Sequence, residues 1–205
     1  RAAGKISEEE LLEIERRAIP GPGACGGQYT ANTMAMALEA LGLSPVGYNA
    51  IPAVNHQKER ATKEAGKILA CAIPHDWKPK DFLTRKSFLN AVAAVAATGG
   101  STNAVLHLLA LAKEAGVELS LDDFDQISRK TPVIADLRPW GTYTAWELYE
   151  AGGTALVFKR LLEAGLLFGE EKTLTGRTLA EEVERAYREQ EGQKVVFPVE
   201  KALKP

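Results

Sequence analysis

The amino-acid sequence predicts a mainly α-helical protein with a few short strands. Apolar residues recur at helical spacing along most of the chain, and serine or threonine residues suited to capping precede several of these segments. Glycine pairs at 26–27, 99–100 and 152–153 interrupt the helical pattern. Strand character is confined to two short runs, residues 132–137 and 194–199. These observations favour helices that are joined at glycine-rich breaks.

Four helices are predicted in the first half of the chain. Ser7 and Glu10 have the spacing of a capping box, so a helix should run from Ser7 to about Arg17. The stretch PGPGACGG, residues 20–27, should end that helix as a loop. Thr84 is the expected N-cap of an alanine- and valine-rich helix that should be buried. The other two predicted helices cover residues 30–42, with Gly42 as the C-cap, and residues 55–73.

Further helical segments are predicted in the second half. One should begin at Ser101 or Thr102 and end at Gly116, because serine and threonine favour the N-cap and glycine favours the C-cap. Ser120 and Asp123 repeat the capping pattern at the start of the next helix. The remaining helical segments are residues 144–165, broken at their glycine pair, and residues 178–190.

Composition narrows the class of protein. The chain has 205 residues, is 45% hydrophobic and 25% charged, and has a net charge of −2, as is typical of a soluble globular domain. This balance predicts neither nucleic acid nor a membrane as partner, and no apolar run approaches the roughly 20 residues of a membrane span. The charged start does not resemble a secretory signal. Two cysteines argue against a disulfide framework and favour the cytoplasm, with one Cys25–Cys71 bridge as the alternative.

Cys25 lies in the glycine-rich loop just before the helix that is predicted to begin near Thr30. The N-terminus of a helix carries partial positive charge, which favours a thiolate. Such a thiolate is suited to act as a nucleophile, a redox sensor or a metal ligand. A small residue packed into a tight turn is the alternative, and the spacing alone does not decide between them.

The segment TGGSTNAVLH, residues 98–107, is the second candidate for binding. Paired glycines followed by short polar side chains at a helix start offer backbone N–H groups and hydroxyls that suit a carboxylate, a phosphate or a polyol. The alternative is an ordinary N-cap after a tight turn. The candidate residues are Gly99, Gly100, Ser101, Thr102 and Asn103.

Other residues that often carry chemistry are interpreted as structural. His107 lies among leucines and is expected to be packed in the core, and Cys71 lies in an apolar stretch and is expected to be buried and inert. A cysteine hydrolase that pairs Cys25 with His56 or His107 is a further alternative, which rests on the thiol alone. An acidic cluster lacks the spacing of a calcium loop and is expected to be helix N-terminal charge; it consists of Asp122, Asp123 and Asp125.

Three long segments occur in an order that matches a known family. They are PGPGACGGQYTANTMAMALEALGLS, FLNAVAAVAATGGSTNAVLHLLALAKEAGVELSLDDFDQIS and PVIADLRPWGTYTAWELYEAGG. They closely resemble successive blocks of the dihydroxy-acid and phosphogluconate dehydratase family. The similarity runs across nearly the whole chain in the family's order, so the resemblance is specific.

The resemblance implies a hydro-lyase that removes water from a 2,3-dihydroxy acid to give a 2-keto acid, as in valine and isoleucine synthesis. A sugar acid is the alternative substrate. The family uses an iron–sulfur cluster, [2Fe–2S] or [4Fe–4S], as Lewis acid on the leaving hydroxyl, and a Mg²⁺ at the carboxylate end. Cys25 matches the third of the family's cluster cysteines, and its flanking glycines would make room for the cluster. Residues 99–103 would line the substrate or cluster pocket.

The resemblance also implies an incomplete protein. The other cluster cysteines belong to earlier segments, and the chain begins at Arg1 without a methionine. Residues 1–205 are therefore expected to be a single partial domain, the middle to C-terminal part of the family's α/β N-terminal domain. The C-terminal barrel-like domain would be absent, and this chain alone would be inactive or a non-catalytic helical domain. The complete protein is expected to be a homodimer. Gln28 and Ala145 stand where the family usually has methionine.

Overall fold

The computed structural model describes residues 3–18, 23 and 25–204, and within these ranges the protein is mainly helical. Short turns of 3₁₀-helix cover Pro79–Asp81 and Val199–Lys201. The α-helices in the described ranges are α1 (Glu8–Ala18), α2 (Thr30–Ala40), α3 (Gln57–Ala72), α4 (Arg85–Ala97), α5 (Asn103–Ala115), α6 (Leu121–Ser128), α7 (Ala145–Ala151), α8 (Gly153–Glu163) and α9 (Leu179–Ala186).

Helix α4 is central to the packing. It contacts α2, α5, α6 and α8, and its alanine-rich sequence allows these neighbours to approach closely. Phe88 and Ala94 are completely buried, as the sequence predicted for this helix. The main core extends from α4 over α2 and α8, where Met36 and Phe158 are among the largest buried side chains.

Capping boxes start five of the described α-helices, as local sequence patterns predicted for two of them. In each, the hydroxyl of a serine or threonine accepts a hydrogen bond from the backbone N–H three residues later, and the side chain of that later residue accepts in return. Ser7 and Glu10 show the pattern with distances of 3.1 and 2.7 Å. The other pairs are Thr84–Ser87, Ser120–Asp123, Thr144–Glu147 and Thr178–Glu181.

The two predicted strands are wrong as strands, although both segments are extended and lie side by side. Segments 132–137 and 194–199 meet through the isolated bridge between Ala135 and Val196, and the described residues form no continuous ladder. No ladder forms because the backbone N–H groups of residues 132–137 donate hydrogen bonds to several different segments. The N–H of Ile134 donates to the carbonyl of Ala97 at 2.8 Å, whereas the N–H of Val133 donates to that of Lys204 at 3.0 Å. The short-strand part of the predicted fold class therefore reduces to single bridges.

Two predicted burials are wrong for reasons of helix geometry. His107 is exposed because the buried stripe of α5 runs through Ala104, Leu108 and Ala112, at a spacing of four residues, and His107 falls beside it. Cys71 is exposed because α3 buries only Ala61 among its own residues.

The remaining differences from the predicted helices lie at the ends of those helices. Helix α9 ends at Ala186 rather than 190, and residues 20–22 and 24 of the predicted loop lie outside the described residues.

In the described part of the chain, no helix is both long and apolar enough to cross a membrane. Helices α1 and α3 nevertheless leave apolar side chains exposed, including Leu12 and Ile14 on α1 and Leu69 on α3. Helix α1 buries none of its residues. These two helices are therefore the least integrated into the core.

Gly42 provides a test of the packing after α2. It has a φ of +75°, and a Cβ added there would lie 2.7 Å from the carbonyl oxygen of Lys172. Gly116 is a matched control, because its φ of +72° is similar but nothing lies within 4 Å of an added Cβ. We expect Gly42→Ala to lower the free energy of unfolding by roughly 2–3 kcal/mol and Gly116→Ala by only about 1 kcal/mol. Urea titrations of both variants measure the difference, and equal losses would contradict the packing argument.

Candidate functional site

Cys25 lies on the wall of an open cleft of about 520 Å³. Three parts of the chain form this cleft: the loop around Cys25 with the first turns of α2, the segment 49–53 with Lys58, and the start of α7 with the residue before it. Cys25 is half-buried and is one of the residues that line this cleft. Lys58 is the charged side chain among the described residues of this lining, which gives the cleft a positive character.

Asn32 fixes the loop that carries Cys25. Its Nδ2 donates to the carbonyl oxygens of Cys25 and Gly27, both at 2.8 Å. The Sγ of Cys25 donates to the same Gly27 carbonyl at 3.3 Å. Because Asn32 lies in the first turn of α2, these bonds hold the thiol at a fixed position relative to the start of that helix.

The two glycines after Cys25 have different roles. Gly27 is buried, and a Cβ there would lie 2.7 Å from the carbonyl oxygen of Arg138. Gly26 lines the cleft, and an added Cβ would meet nothing within 4 Å. The N–H of Ala145 donates to the Gly26 carbonyl at 3.0 Å, and the N–H of Gln28 donates to the Arg138 carbonyl at 2.6 Å. Gly27 therefore permits close packing against residues 138–145, and Gly26 leaves space beside the thiol.

The predicted binding segment 99–103 leads into α5 and packs against the first turn of α2. It lies outside the lining of the Cys25 cleft. Ser101 and Asn103 contact Thr30, with oxygen–oxygen and nitrogen–oxygen distances of 3.1 and 2.8 Å. Gly99 has a φ of +57°, and an added Cβ would collide with the indole of Trp140. An added Cβ at Gly100 would lie 2.9 Å from a methyl carbon of Thr33, and Thr102 is exposed. These contacts join α5 to α2, and a role in binding stays a prediction.

No histidine is among the described residues that line the cleft with Cys25, and both His56 and His107 are exposed. Cys71 is exposed on α3 and is likewise absent from that lining. The described residues also contain no group of three or more histidine, cysteine, aspartate or glutamate side chains placed to hold a metal ion. Among the described residues of the cleft lining, Cys25 is thus a single thiol without a histidine partner.

Glu39 is a buried carboxyl beside the cleft and is not among the candidate residues that the sequence predicts. It lies on α2, and its oxygens accept hydrogen bonds from the N–H groups of Gly47 and Asn49, at 2.9 and 2.8 Å, and from the hydroxyl of Thr154. Burial raises the pKa of Glu39 to about 7, although these hydrogen bonds act in the opposite direction. The sequence does contain a sign of this buried carboxyl. Glu39 lies three positions after Met36, on the apolar face of a predicted helix.

A sequence profile described as "Dihydroxy-acid/6-phosphogluconate dehydratase N-terminal" matches residues 1–182. The chain belongs to this dehydratase family, as the sequence resemblance predicted.

Named relatives lie within the same family. A protein of Thermus thermophilus is 98% identical over all 205 residues, and one of Roseiflexus castenholzii is 55% identical over 204 residues. Both bear the name dihydroxy-acid dehydratase. The chain covers 37% and 36% of these two proteins, so it spans little more than a third of the length of the curated relatives that it matches.

The raised pKa of Glu39 predicts a specific pH dependence of stability. The carboxyl has a pKa of about 7 in the folded protein against an ordinary 4.5, so the folded state holds its proton over a range where the unfolded state has lost it. Stability should therefore decrease as pH rises from about 4.5 to about 7, by on the order of 3 kcal/mol from this group.

Urea unfolding between pH 4.5 and 8 measures this contribution, with Glu39→Gln as the control because glutamine does not titrate. The wild-type protein should lose more stability than the variant over that interval. Parallel pH profiles for the two proteins would show that Glu39 does not hold its proton in the folded state.

Proposed function

We propose that the complete protein carrying this sequence is an iron–sulfur-dependent dehydratase that converts a 2,3-dihydroxy acid to a 2-keto acid. The observation that carries the proposal is the position of Cys25, a half-buried thiol on the wall of an open cleft in a chain of the dehydratase family. The name dihydroxy-acid dehydratase, borne by relatives that match the whole chain, favours a dihydroxy acid over a sugar acid.

Cys25 fits the role of one cluster ligand. Cys25 lines the cleft, Asn32 fixes the loop from the side of α2, and Gly26 adds no side chain to the lining next to Cys25. A cluster bound there would supply a Lewis acid for the departing hydroxyl group. Such clusters need several thiolate ligands, so the remaining ones would come from other parts of the complete protein.

The polar lining of the cleft suits a hydroxylated carboxylic acid. The NH₂ groups of Asn32 and Asn49 are bonded to backbone carbonyls, but their Oδ1 atoms offer acceptors for hydroxyl groups, and the ammonium group of Lys58 favours an anion. Lys58 is held in place because its Nζ donates to the carbonyls of Tyr48 and Ile51, at 3.3 and 3.1 Å. In this proposal these groups orient the substrate, and residues 99–103 support the start of α2 or contact the substrate from the adjoining side.

Magnesium as second cofactor, a homodimeric assembly and a cytoplasmic location complete the proposal. The Mg²⁺ ligands would come from elsewhere in the complete protein, since the described residues contain no group of three potential ligands. The apolar side chains exposed on α1 and α3, among them Leu12 and Leu69, support burial against the remaining protein or a second subunit.

Cys25→Ser should abolish cluster incorporation in the complete protein, because a serine hydroxyl is a poor ligand for iron in such clusters. Iron and sulfide content and the visible spectrum after anaerobic reconstitution measure this loss, together with dehydration of a 2,3-dihydroxy acid. Cys71→Ser is the control, since Cys71 is exposed and lies outside the cleft lining, and it should keep the cluster. A Cys25→Ser protein that retains full colour and activity would exclude the proposed role.

Gly27→Ala should reduce cluster content without removing any ligand. The added methyl group would lie 2.7 Å from the carbonyl oxygen of Arg138 and would push the Cys25 loop from its position. Gly66→Ala is the control for the substitution itself, because Gly66 lies on α3 outside the cleft lining and nothing lies within 4 Å of its added Cβ. Iron per chain should fall in Gly27→Ala by at least about tenfold relative to Gly66→Ala, since ligand placement has a tolerance of only tenths of an ångström. Equal iron content in both variants would contradict the packing role of Gly27.

A further inference from the structure

We propose that Glu39 is a positioning residue for the Cys25 cleft, which acts by holding the 47–50 loop against α2 and so fixes one wall of the cleft. The consequence for catalysis rests on the proposed function, whereas the effect on the cleft itself does not.

The carboxyl of Glu39 joins three separate parts of the chain. Its Oε1 accepts from the N–H of Asn49 at 2.8 Å, and its Oε2 accepts from the N–H of Gly47 at 2.9 Å and from the hydroxyl of Thr154. Glu39 belongs to α2 and Thr154 to the first turn of α8, and both side chains are buried. One side chain thus anchors a loop to two helices of the core.

The anchored loop leads directly into the wall of the cleft. Asn49 and Ala50 line the cleft, as do the residues 51–53 that follow. The Nδ2 of Asn49 donates to the carbonyl of Ala35 on α2 at 3.0 Å, and Ala35 lines the same cleft. Displacement of Asn49 would therefore shift the wall relative to the helix whose first turn fixes Cys25.

A carboxyl is well suited to this position. Two backbone N–H groups and a hydroxyl converge on it, and a carboxylate can accept all three hydrogen bonds with its two oxygens. Burial of a carboxyl is unfavourable in itself, so an apolar residue would pack at lower cost if the loop needed no acceptor. Replacement by an apolar side chain would leave the two N–H groups of the loop without their partner.

Glu39→Gln tests the proposal, because glutamine keeps the shape but offers one acceptor oxygen and an NH₂ group that cannot accept. Thr154→Val is a milder second variant that removes one hydroxyl and leaves the two backbone bonds. Asn90→Asp is the matched control. Asn90 is a fully buried residue of α4 that holds the backbone of Phe168, with distances of 3.0 and 2.7 Å, and it lies outside the cleft lining.

The readout is the rate at which iodoacetamide alkylates Cys25 in the complete, cluster-free protein, measured by peptide mass spectrometry at pH 8. Cys71 is alkylated in the same sample and serves as the internal reference, since it is exposed and lies outside the cleft lining. We expect the Cys25 rate to rise about fivefold in Glu39→Gln, as loss of one buried hydrogen bond would populate an opened loop, and to rise less in Thr154→Val. The rate at Cys71 should not change.

The controls separate positioning from general destabilisation. Asn90→Asp should leave the Cys25 rate near that of the wild type even though it also disrupts a buried polar contact. An unchanged Cys25 rate in Glu39→Gln would overturn the proposal, and so would an equal rise in Asn90→Asp. If Glu39→Gln does not fold, the same comparison with Thr154→Val decides.

The dependence on the proposed function is tested separately. In reconstituted protein we expect Glu39→Gln to lower kcat for the dihydroxy acid more than it changes the iron content. If Cys25→Ser keeps its cluster while Glu39→Gln still accelerates Cys25 alkylation, the proposed function fails and the positioning role of Glu39 stands. If Cys25→Ser loses its cluster and Glu39→Gln leaves both alkylation and kcat unchanged, the positioning role fails alone.

Discussion

The close packing of neighbouring elements on α4 is the constraint on which the rest of the structure depends. Its alanines allow α2 to approach, so the start of α2 and the Cys25 loop are placed relative to α4. At its C-terminal end, the carbonyl of Ala97 accepts a hydrogen bond from Ile134 and thereby places the segment that leads to Arg138 and Ala145. Contacts with α4 therefore position both the loop that carries the thiol and the segment that packs against this loop. A larger side chain at Ala94 or Ala97 would separate them, since both positions are completely buried.

Gln28 extends this dependence into the core. It is buried, and its Nε2 donates to the hydroxyl of Thr98, the residue that caps α4, at 3.1 Å. Its backbone N–H is bonded to Arg138, so one residue ties the Cys25 loop to the end of α4 and to the neighbouring segment. The buried glutamine is accommodated because Thr98 supplies a polar partner inside an otherwise apolar region.

Features that depend on neighbouring residues, such as helix caps, could be predicted from the sequence. Features that depend on contacts between distant residues could not. The caps at Ser120 and Thr84 could be predicted because donor and acceptor lie three residues apart. His107 is exposed because it lies outside the buried face of α5. The sequence did not show which face of α5 is buried, since leucines lie on both sides of His107 along the chain. The position of Glu39 on an apolar helix face was visible in the sequence, but its partner Thr154 was not, because Thr154 lies 115 residues away. For the candidate site, the sequence singled out Cys25 and its glycines, but it could not distinguish Gly27, which packs against Arg138, from Gly26, which faces the cleft.

The arrangement around Cys25 suggests how this part of the protein contributes to a site that other segments would complete. In the proposed cluster site, one thiol would not suffice, but the loop that carries Cys25 is already fixed by Asn32 and by packing at Gly27. A ligand that is already in place loses little conformational freedom on binding, which increases the affinity of the assembled site. In the proposed site, the second wall would be held in the same way through Glu39, which also belongs to α2. Helix α2 thus connects both walls of the cleft, and in the proposed dehydratase ligands from other segments would meet a preformed cleft.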